Sequence, residues 1–541
     1  MWQQIYIPVA GNLGLSALVA ATPIFVLVYT LGYRRLPSWK ASLIGLFVAE
    51  LLAVTVYRMP VSMSISALTY GAAFGLFPIG WIVYWAIALY RFTLETGKFE
   101  IVKDSIGSLT TDSRLQALLI AFSFGAFMEG ACGFGTPVAV AAAMLTGLGF
   151  SPFRAAALCL LANTAPVAFG AIGIPLVALS GITGLPLHSL SSNVGRICAP
   201  ISLIIPAYLI LVMGGWRALK AVFPAVLVAG ITFAGMQLFV SNVLGPYLTD
   251  ILGSVASMIA LIILFRFWKP KQISRLETEG ACVAETVDHS PREVVIAWAP
   301  YGLLVVFVLL WGISSVKAHL SLLTIPIHWP GLHNQVQRVP PVVAKTSPYA
   351  AIYTFDWLAV SGTACMFATL LSSLVLRMSP RLTLRLMVAT GRQLLFPLVT
   401  IAAVLALAFL MNYSGATGTL GLAFAATAGI FPFFSALLGW LGVFLTGSDT
   451  ASNALFGNLQ VVTAHRLGLN PALMAAANSG GGVMGKMISL QSICVAAAAT
   501  QMKPDDEANL FRFTLRHSIL LGSLIGLITL VYAYILPNWV K

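Results

Sequence analysis

Phe127-Met128-Glu129-Gly130-Ala131-Cys132-Gly133-Phe134-Gly135 stands in the middle of an apolar stretch that runs from 115 to 149. Its composition conflicts with a plain membrane-crossing helix. A carboxylate at a helix centre costs roughly 2.5–3.5 kcal/mol on insertion scales. Gly130, Gly133 and Gly135 weaken the helix around it. The flanks are nevertheless too apolar for a solvated loop. A re-entrant hairpin satisfies both facts: two short helical arms enter and leave on one side and meet at a Gly-rich tip. A second stretch, 433–466, is built the same way around Thr446-Gly447-Ser448-Asp449-Thr450-Ala451-Ser452-Asn453.

The two stretches belong to an internal repeat at an offset of 319 residues. Ala117-Leu118-Leu119 matches Ala436-Leu437-Leu438. Leu148-Gly149-Phe150-Ser151-Pro152 matches Leu467-Gly468-Leu469-Asn470-Pro471. Glu129 lies 23 residues before its Pro and Asp449 lies 22 before its own. Each copy then runs through small residues to Asn163-Thr164 or Asn478-Ser479 and on into a Gly-rich stretch, which predicts broken helices over 155–180 and 472–500. The competing reading is two ordinary helix pairs that happen to be rich in Gly.

The rest of the chain sets these hairpins in a membrane. Of 541 residues, 59% are hydrophobic and 9% are charged, against roughly 25% charged in soluble proteins. At about 20 apolar residues per crossing, this length allows about 12 to 14 spans. Apolar runs at 12–33, 41–57, 61–90, 155–180, 197–213, 221–242, 252–268, 295–315, 356–376, 395–411, 472–500 and 517–536 predict about 12 transmembrane helices plus the two hairpins. No Lys or Arg precedes Arg34, so the first run reads as a retained span rather than a cleaved signal.

The net charge of +13 comes from 30 Lys+Arg and 17 Asp+Glu. In this setting it reflects basic cytoplasmic loops, and no nucleic-acid-binding module accompanies it. Twenty-two Lys/Arg fall in one set of loops and seven in the other. The split balances only if 115–149 and 433–466 each return to the side they entered from, and only if 412–431 does not cross. It places both termini outside. The polar run 269–294, with Glu277, Glu279, Glu285 and Asp288, is then a cytoplasmic linker between a first half, 1–268, and a second half, 295–541. The copies insert in opposite senses, as in secondary transporters. A second long loop, 317–355, is Pro-rich and external. Its His319, His328 and His333 share no helix face, so it reads as an ordinary solvated loop and not a metal site. The six cysteines are scattered without CxxC spacing and read as packing residues or inert thiols. No zinc, nucleophile-elbow or phosphate-loop motif is present, which argues against an enzyme and against a resident cofactor.

Four ionisable residues stand inside apolar runs. Glu129 reads as a buried proton carrier or as a cap for free amides at the hairpin tip. Asp449 reads as a proton carrier or an N-cap. Lys486, in Gly480-Gly481-Gly482-Val483-Met484-Gly485-Lys486-Met487, reads as the partner of a substrate carboxylate or of one of these two acids. Glu50, in a peripheral early helix, reads as structural or interfacial.

At these residues the chain resembles the bacterial L-lactate permease family. The resemblance runs over nearly the whole sequence. It is densest at Gly125–Ala139, at Asn163-Thr164-Ala165-Pro166-Val167-Ala168-Phe169-Gly170, at Phe444–Asp449 with Asn453-Ala454-Leu455-Phe456-Gly457, and at Gly485-Lys486-Met487-Ile488-Ser489. It implies proton-coupled symport of L-lactate, D-lactate and glycolate across the bacterial inner membrane, on an all-α polytopic fold with elevator-like motion. The expected proton carriers are Glu129 and Asp449. The expected substrate contacts are Lys486, Asn163, Thr164, Ser448, Thr450, Asn453, Asn478, Ser479, Gly133, Gly135 and Thr136. A sodium-coupled carrier or an anion exchanger for small carboxylates is the alternative. Cys132 and Thr136 stand where the resemblance leads one to expect Ala, and Leu490 where it leads one to expect Pro.

Overall fold

The computed structural model describes the chain except for residues 35, 108, 134, 275–288, 344 and 541. Arg35, Phe134, Lys541 and most of the expected linker, with Cys282 and its four acids, therefore lie outside the described residues. The fold is helical. Among the described residues ten helical stretches are long and apolar enough to cross a membrane, and a bent pair, Pro152–Ala162 with Val167–Thr183, makes an eleventh if counted as one span. This is a multi-pass membrane protein.

The count departs from twelve for local reasons. Leu187–Val243 runs for 57 residues but folds back at Gly214 and Gly215, where the backbone leaves the helical region. Its limbs pack antiparallel: the Ser191 hydroxyl donates to Ser241 O (2.8 Å) and the Ser202 hydroxyl to Gln237 Oε1 (2.7 Å). They correspond to the runs 197–213 and 221–242. The run at 356–376 forms only Ser361–Val375, 15 residues.

Residues 113–131 form the first arm of one helical hairpin, and Thr136–Gly147 the second. Phe431–Thr446 and Asp449–Leu467 form another. Here Ser452 Oγ donates to Gly439 O and Gln460 Nε2 to Ser435 O, which sets the arms antiparallel. Pro471–Lys486 packs on this hairpin backbone to backbone. A methyl group added at Gly439, Gly481 or Gly485 would collide with Asn478 O, Ala436 O or Trp440 O. Small residues at such a crossing let two helices approach where no hydrophobic force drives them together. Both repeat copies start their next helix alike: Ser151 caps Pro152–Ala162 and Asn470 caps Pro471–Lys486, each with Pro at the first position. They then differ. The first bends at 163–166, beside Asn163. The second passes through Asn478 unbroken and stops at Lys486, eight residues later than the sequence parallel suggests.

The 317–355 loop is not the plain solvated loop expected. Ile325–His328 pairs antiparallel with Ile352–Phe355, and Val336–Arg338 lies between Trp2–Gln3 and Ser347–Pro348. The strands are too short and too exposed to leave an apolar alternation in the sequence. Pro326 sits on a two-stranded ribbon, where an edge position needs no N–H. The sheet ties residues 2–3 to this loop.

Most of the segment 412–431 lies in Ala416–Thr446, one of the ten stretches long and apolar enough to cross, although the charge split expects it not to. Gln4 Nε2 donates to Asn412 O (2.8 Å), Thr419 Oγ1 donates to Tyr6 O (2.8 Å), and Gly429 O accepts from Tyr534 (2.8 Å). At the opposite end Asp112 takes two hydrogen bonds from the Arg114 guanidinium, at 3.0 and 2.6 Å, and one from the Ser274 amide at 3.0 Å. This staples the foot of the first hairpin to the start of the linker.

Candidate functional site

The tips of both hairpins open on one cavity of about 450 Å³. Glu129, Gly133 and Thr136 reach it from the first hairpin. Ser448, Asp449 and Thr450 reach it from the second, and Lys486 comes from the end of Pro471–Lys486. All three charges are buried, at 4%, 3% and 7% exposure for Glu129, Asp449 and Lys486. The wall is completed by Leu394, Pro397 and Val404 of Pro380–Ser414 and by Trp39 and Gln393 near the basic end. A second cavity, of about 930 Å³, lies at the other end, lined by Gln4, Arg338, Tyr349 and His465. The helices Pro380–Ser414 and Gly170–Thr183 line both. The first of these helices lines one space at Val404 and Leu405 and the other at Phe409, and the second lines them at Pro175 and at Val177.

Each acid lies against a glycine. A methyl on Gly170 would lie 2.6 Å from Glu129 Oε1, and one on Gly482 would collide with Asp449 Oδ1. Beside Glu129 the backbone is strained: Ala171, Ile172 and Gly173 are all left-handed, with φ of 45°, 58° and 72°. Non-Gly residues in that region cost of order 1–3 kcal/mol each and gather at functional sites.

The capping readings of both acids fail. Ser448, not Asp449, caps Asp449–Leu467, its hydroxyl accepting from the Ala451 amide. Asp449 is thereby left to face the cavity. Glu129 caps nothing, and its Oε2 is buried without a hydrogen-bond partner. The ion-pair reading of Lys486 fails as well. Its ammonium donates to Gly447 O at 2.7 Å. The three ion pairs within 4.0 Å among the described residues all lie elsewhere. A cation and two carboxylates thus face one space without neutralising each other in contact, a costly arrangement that leaves capacity for a ligand.

A profile of the family described as L-lactate permease matches residues 16–536. The chain belongs to the L-lactate permease family. It is 45% identical to the L-lactate permease of Bacillus subtilis (strain 168), over 99% of this chain and 100% of that one. It is 44% identical to the L-lactate permease of Salmonella typhimurium, over 99% of both chains. Identity to the glycolate permease GlcA of Escherichia coli (strain K12) is also 44%, over 99% of this chain and 98% of that one. Membership of a permease family makes the chain a transporter and not an enzyme.

Not every residue expected to contact substrate in this permease reaches the cavity. Asn453, Asn478 and Ser479 are fully buried behind Asp449. Ser479 Oγ donates to Asp449 Oδ2 (2.5 Å), as does Asn453 Nδ2 (3.2 Å). Asn453 Oδ1 accepts from Asn478 Nδ2 (2.9 Å), and Asn453 Nδ2 also reaches Pro175 O (3.2 Å). These side chains orient the acid. The resemblance put them among the expected substrate contacts but left open which way they face. Thr164 is buried with its hydroxyl spent on Leu161 O (2.7 Å). Gly135 is the left-handed residue that starts Thr136–Gly147. Asn163 neighbours Glu129, and neither of its amide atoms has a hydrogen-bond partner. Leu490 opens the helix Leu490–Ala499 behind a Ser489 cap, so the break after Lys486 forms without Pro. Gln393 and Gln491 line the cavity as polar groups that sequence reasoning passed over, because Gln in an apolar run carries no charge signal.

Asn453→Ala is expected to slow uptake about tenfold, since losing a buried hydrogen-bond partner costs about 1–3 kcal/mol. Half-saturation should move less, because Asn453 acts on Asp449 and not on substrate. Initial-rate uptake against substrate concentration measures both.

Proposed function

We propose that this permease couples uptake of L-lactate and related 2-hydroxy monocarboxylates, D-lactate and glycolate among them, to the entry of a proton across the bacterial cytoplasmic membrane. The carrying observation is the single cavity in which Lys486 faces Glu129 and Asp449 with no ion pair formed. The names of the relatives supply the substrate class.

With both acids ionised the empty site carries one net negative charge. An anion entering alone would double it in a low-dielectric space, which is expensive. An anion arriving with a proton leaves the charge unchanged, so the site favours loading the two together. In this reading the substrate carboxylate lies against Lys486 and the hydroxyls of Ser448, Thr450 and Thr136, and Glu129 or Asp449 takes the proton. The two hairpins are re-entrant and belong to inverted copies in the halves 1–268 and 295–541, joined by the cytoplasmic linker 269–294. Access alternates between the two cavities by an elevator-like displacement of the hairpins.

Purified protein in proteoliposomes tests this reading. An alkaline interior should drive accumulation of labelled L-lactate without sodium and without internal counter-substrate. Unlabelled D-lactate and glycolate should compete. A requirement for sodium would make the protein a sodium-coupled carrier, and dependence on internal anion would make it an exchanger.

A further inference from the structure

Asp250 has no part in the site described so far. It stands in the first turn of Thr249–Phe267 and is 1% exposed. Acids at helix starts usually accept hydrogen bonds from free amides, but here Oδ1 and Oδ2 are both buried with no partner. An isolated carboxylate in that state is among the costliest groups a protein can hold.

Its surroundings point to what offsets the cost. Gly130, the residue after Glu129, packs directly on it. A methyl there would lie 2.8 Å from Asp250 Cβ and 3.0 Å from the Ile251 amide nitrogen. The Glu129 charge acts on Asp250, and Glu129 also keeps one oxygen without a partner. The other titratable group facing Asp250 is Cys198, on Leu187–Val243. Lys486 acts on Glu129 and Asp449. Among the described residues no cation pairs with Asp250, and Asp250 does not line the cavity.

We propose that Asp250 is a second proton seat of this permease, paired with Glu129 so that one proton is held between the two carboxyl groups. The step is a proton transfer: the O–H bond of one carboxyl breaks as that of the other forms, and the negative charge moves the opposite way. Because Asp250 stands behind Glu129, a proton there is kept clear of the substrate anion. This rests on the proton-symport reading above and adds a residue to it.

The test compares wild type, Asp250→Asn, Asp250→Glu, Glu129→Gln and the double variant Glu129→Gln/Asp250→Asn, all in proteoliposomes under an imposed pH gradient. Asp250→Asn should bring accumulation of labelled L-lactate down toward equilibrium, a loss of about tenfold under a one-unit gradient, and flatten the pH dependence of uptake. Asp250→Glu should restore accumulation in part with a displaced pH profile. The double variant should be no worse than Glu129→Gln alone, because both changes empty the same seat. Wild-type accumulation and an unaltered pH profile in Asp250→Asn would overturn the inference. So would an additive loss in the double variant. Should Asp250→Asn fail to fold, an undisplaced profile in Asp250→Glu is the overturning result. A wild type that ignores the pH gradient overturns the symport reading itself, a distinct outcome visible before any variant is assayed.

Discussion

Lys486→Ala is expected to weaken L-lactate binding by about 100-fold or more. The ammonium is 7% exposed, makes one hydrogen bond to a backbone carbonyl and has no carboxylate within 4.0 Å. A substrate carboxylate docked on it makes a buried, charge-assisted contact. Truncating one partner of such a contact costs about 2–5 kcal/mol, and every 1.4 kcal/mol is about tenfold. The loss is compounded because Glu129 and Asp449 then repel the anion with nothing to offset them. Counterflow of labelled lactate, read as the half-saturating concentration, measures the effect. Normal affinity in this variant would remove the anion site from the proposal. Lys486→Arg separates charge from shape. Gly485 packs against the Trp440 carbonyl and Lys486 sits in the same crowded turn, so the broader guanidinium should also bind poorly.

The second large effect is expected at Glu129. A pH difference of one unit is worth about 1.36 kcal/mol per proton, or about tenfold in concentration. One proton per lactate therefore allows wild-type vesicles to concentrate lactate about tenfold under that gradient. Glu129→Gln should bring the ratio to about one while labelled lactate still exchanges across the membrane. Glutamine fills the same space against Gly170 but holds no transferable proton. Accumulation ratios at two imposed gradients give the answer, and a ratio that still follows the gradient would move the proton to Asp449.

Much of this arrangement was readable from residue order. Glu129, Asp449 and Lys486 stood out because a charge inside an apolar run is expensive, and the structure brings all three to one cavity. The Gly-rich breaks beside them were legible for the same reason. Asp250 was not. It falls between two apolar runs, where a charge looks like ordinary loop, and only the fold buries it. Asn478 and Ser479 were marked by the repeat and Asn453 by the family resemblance, but which face of a helix points inward depends on packing that the sequence does not state. The left-handed turn at 171–173 includes Ala and Ile, residues that give no warning of positive φ. The strands of 317–355 are held by partners far away in the chain, including residues 2–3.

The glycine contacts between Phe431–Thr446 and Pro471–Lys486 have a mechanical consequence. Asp449 stands three residues beyond the first of these helices and Lys486 ends the second, and Gly439, Gly481 and Gly485 bring the two together without side chains between them. Displacing either helix alone would break a contact made by backbone atoms. A working stroke is therefore expected to carry the acid and the ammonium as one piece. Such a carrier would resist slippage, with no loose joint through which the anion could travel while its proton stayed behind.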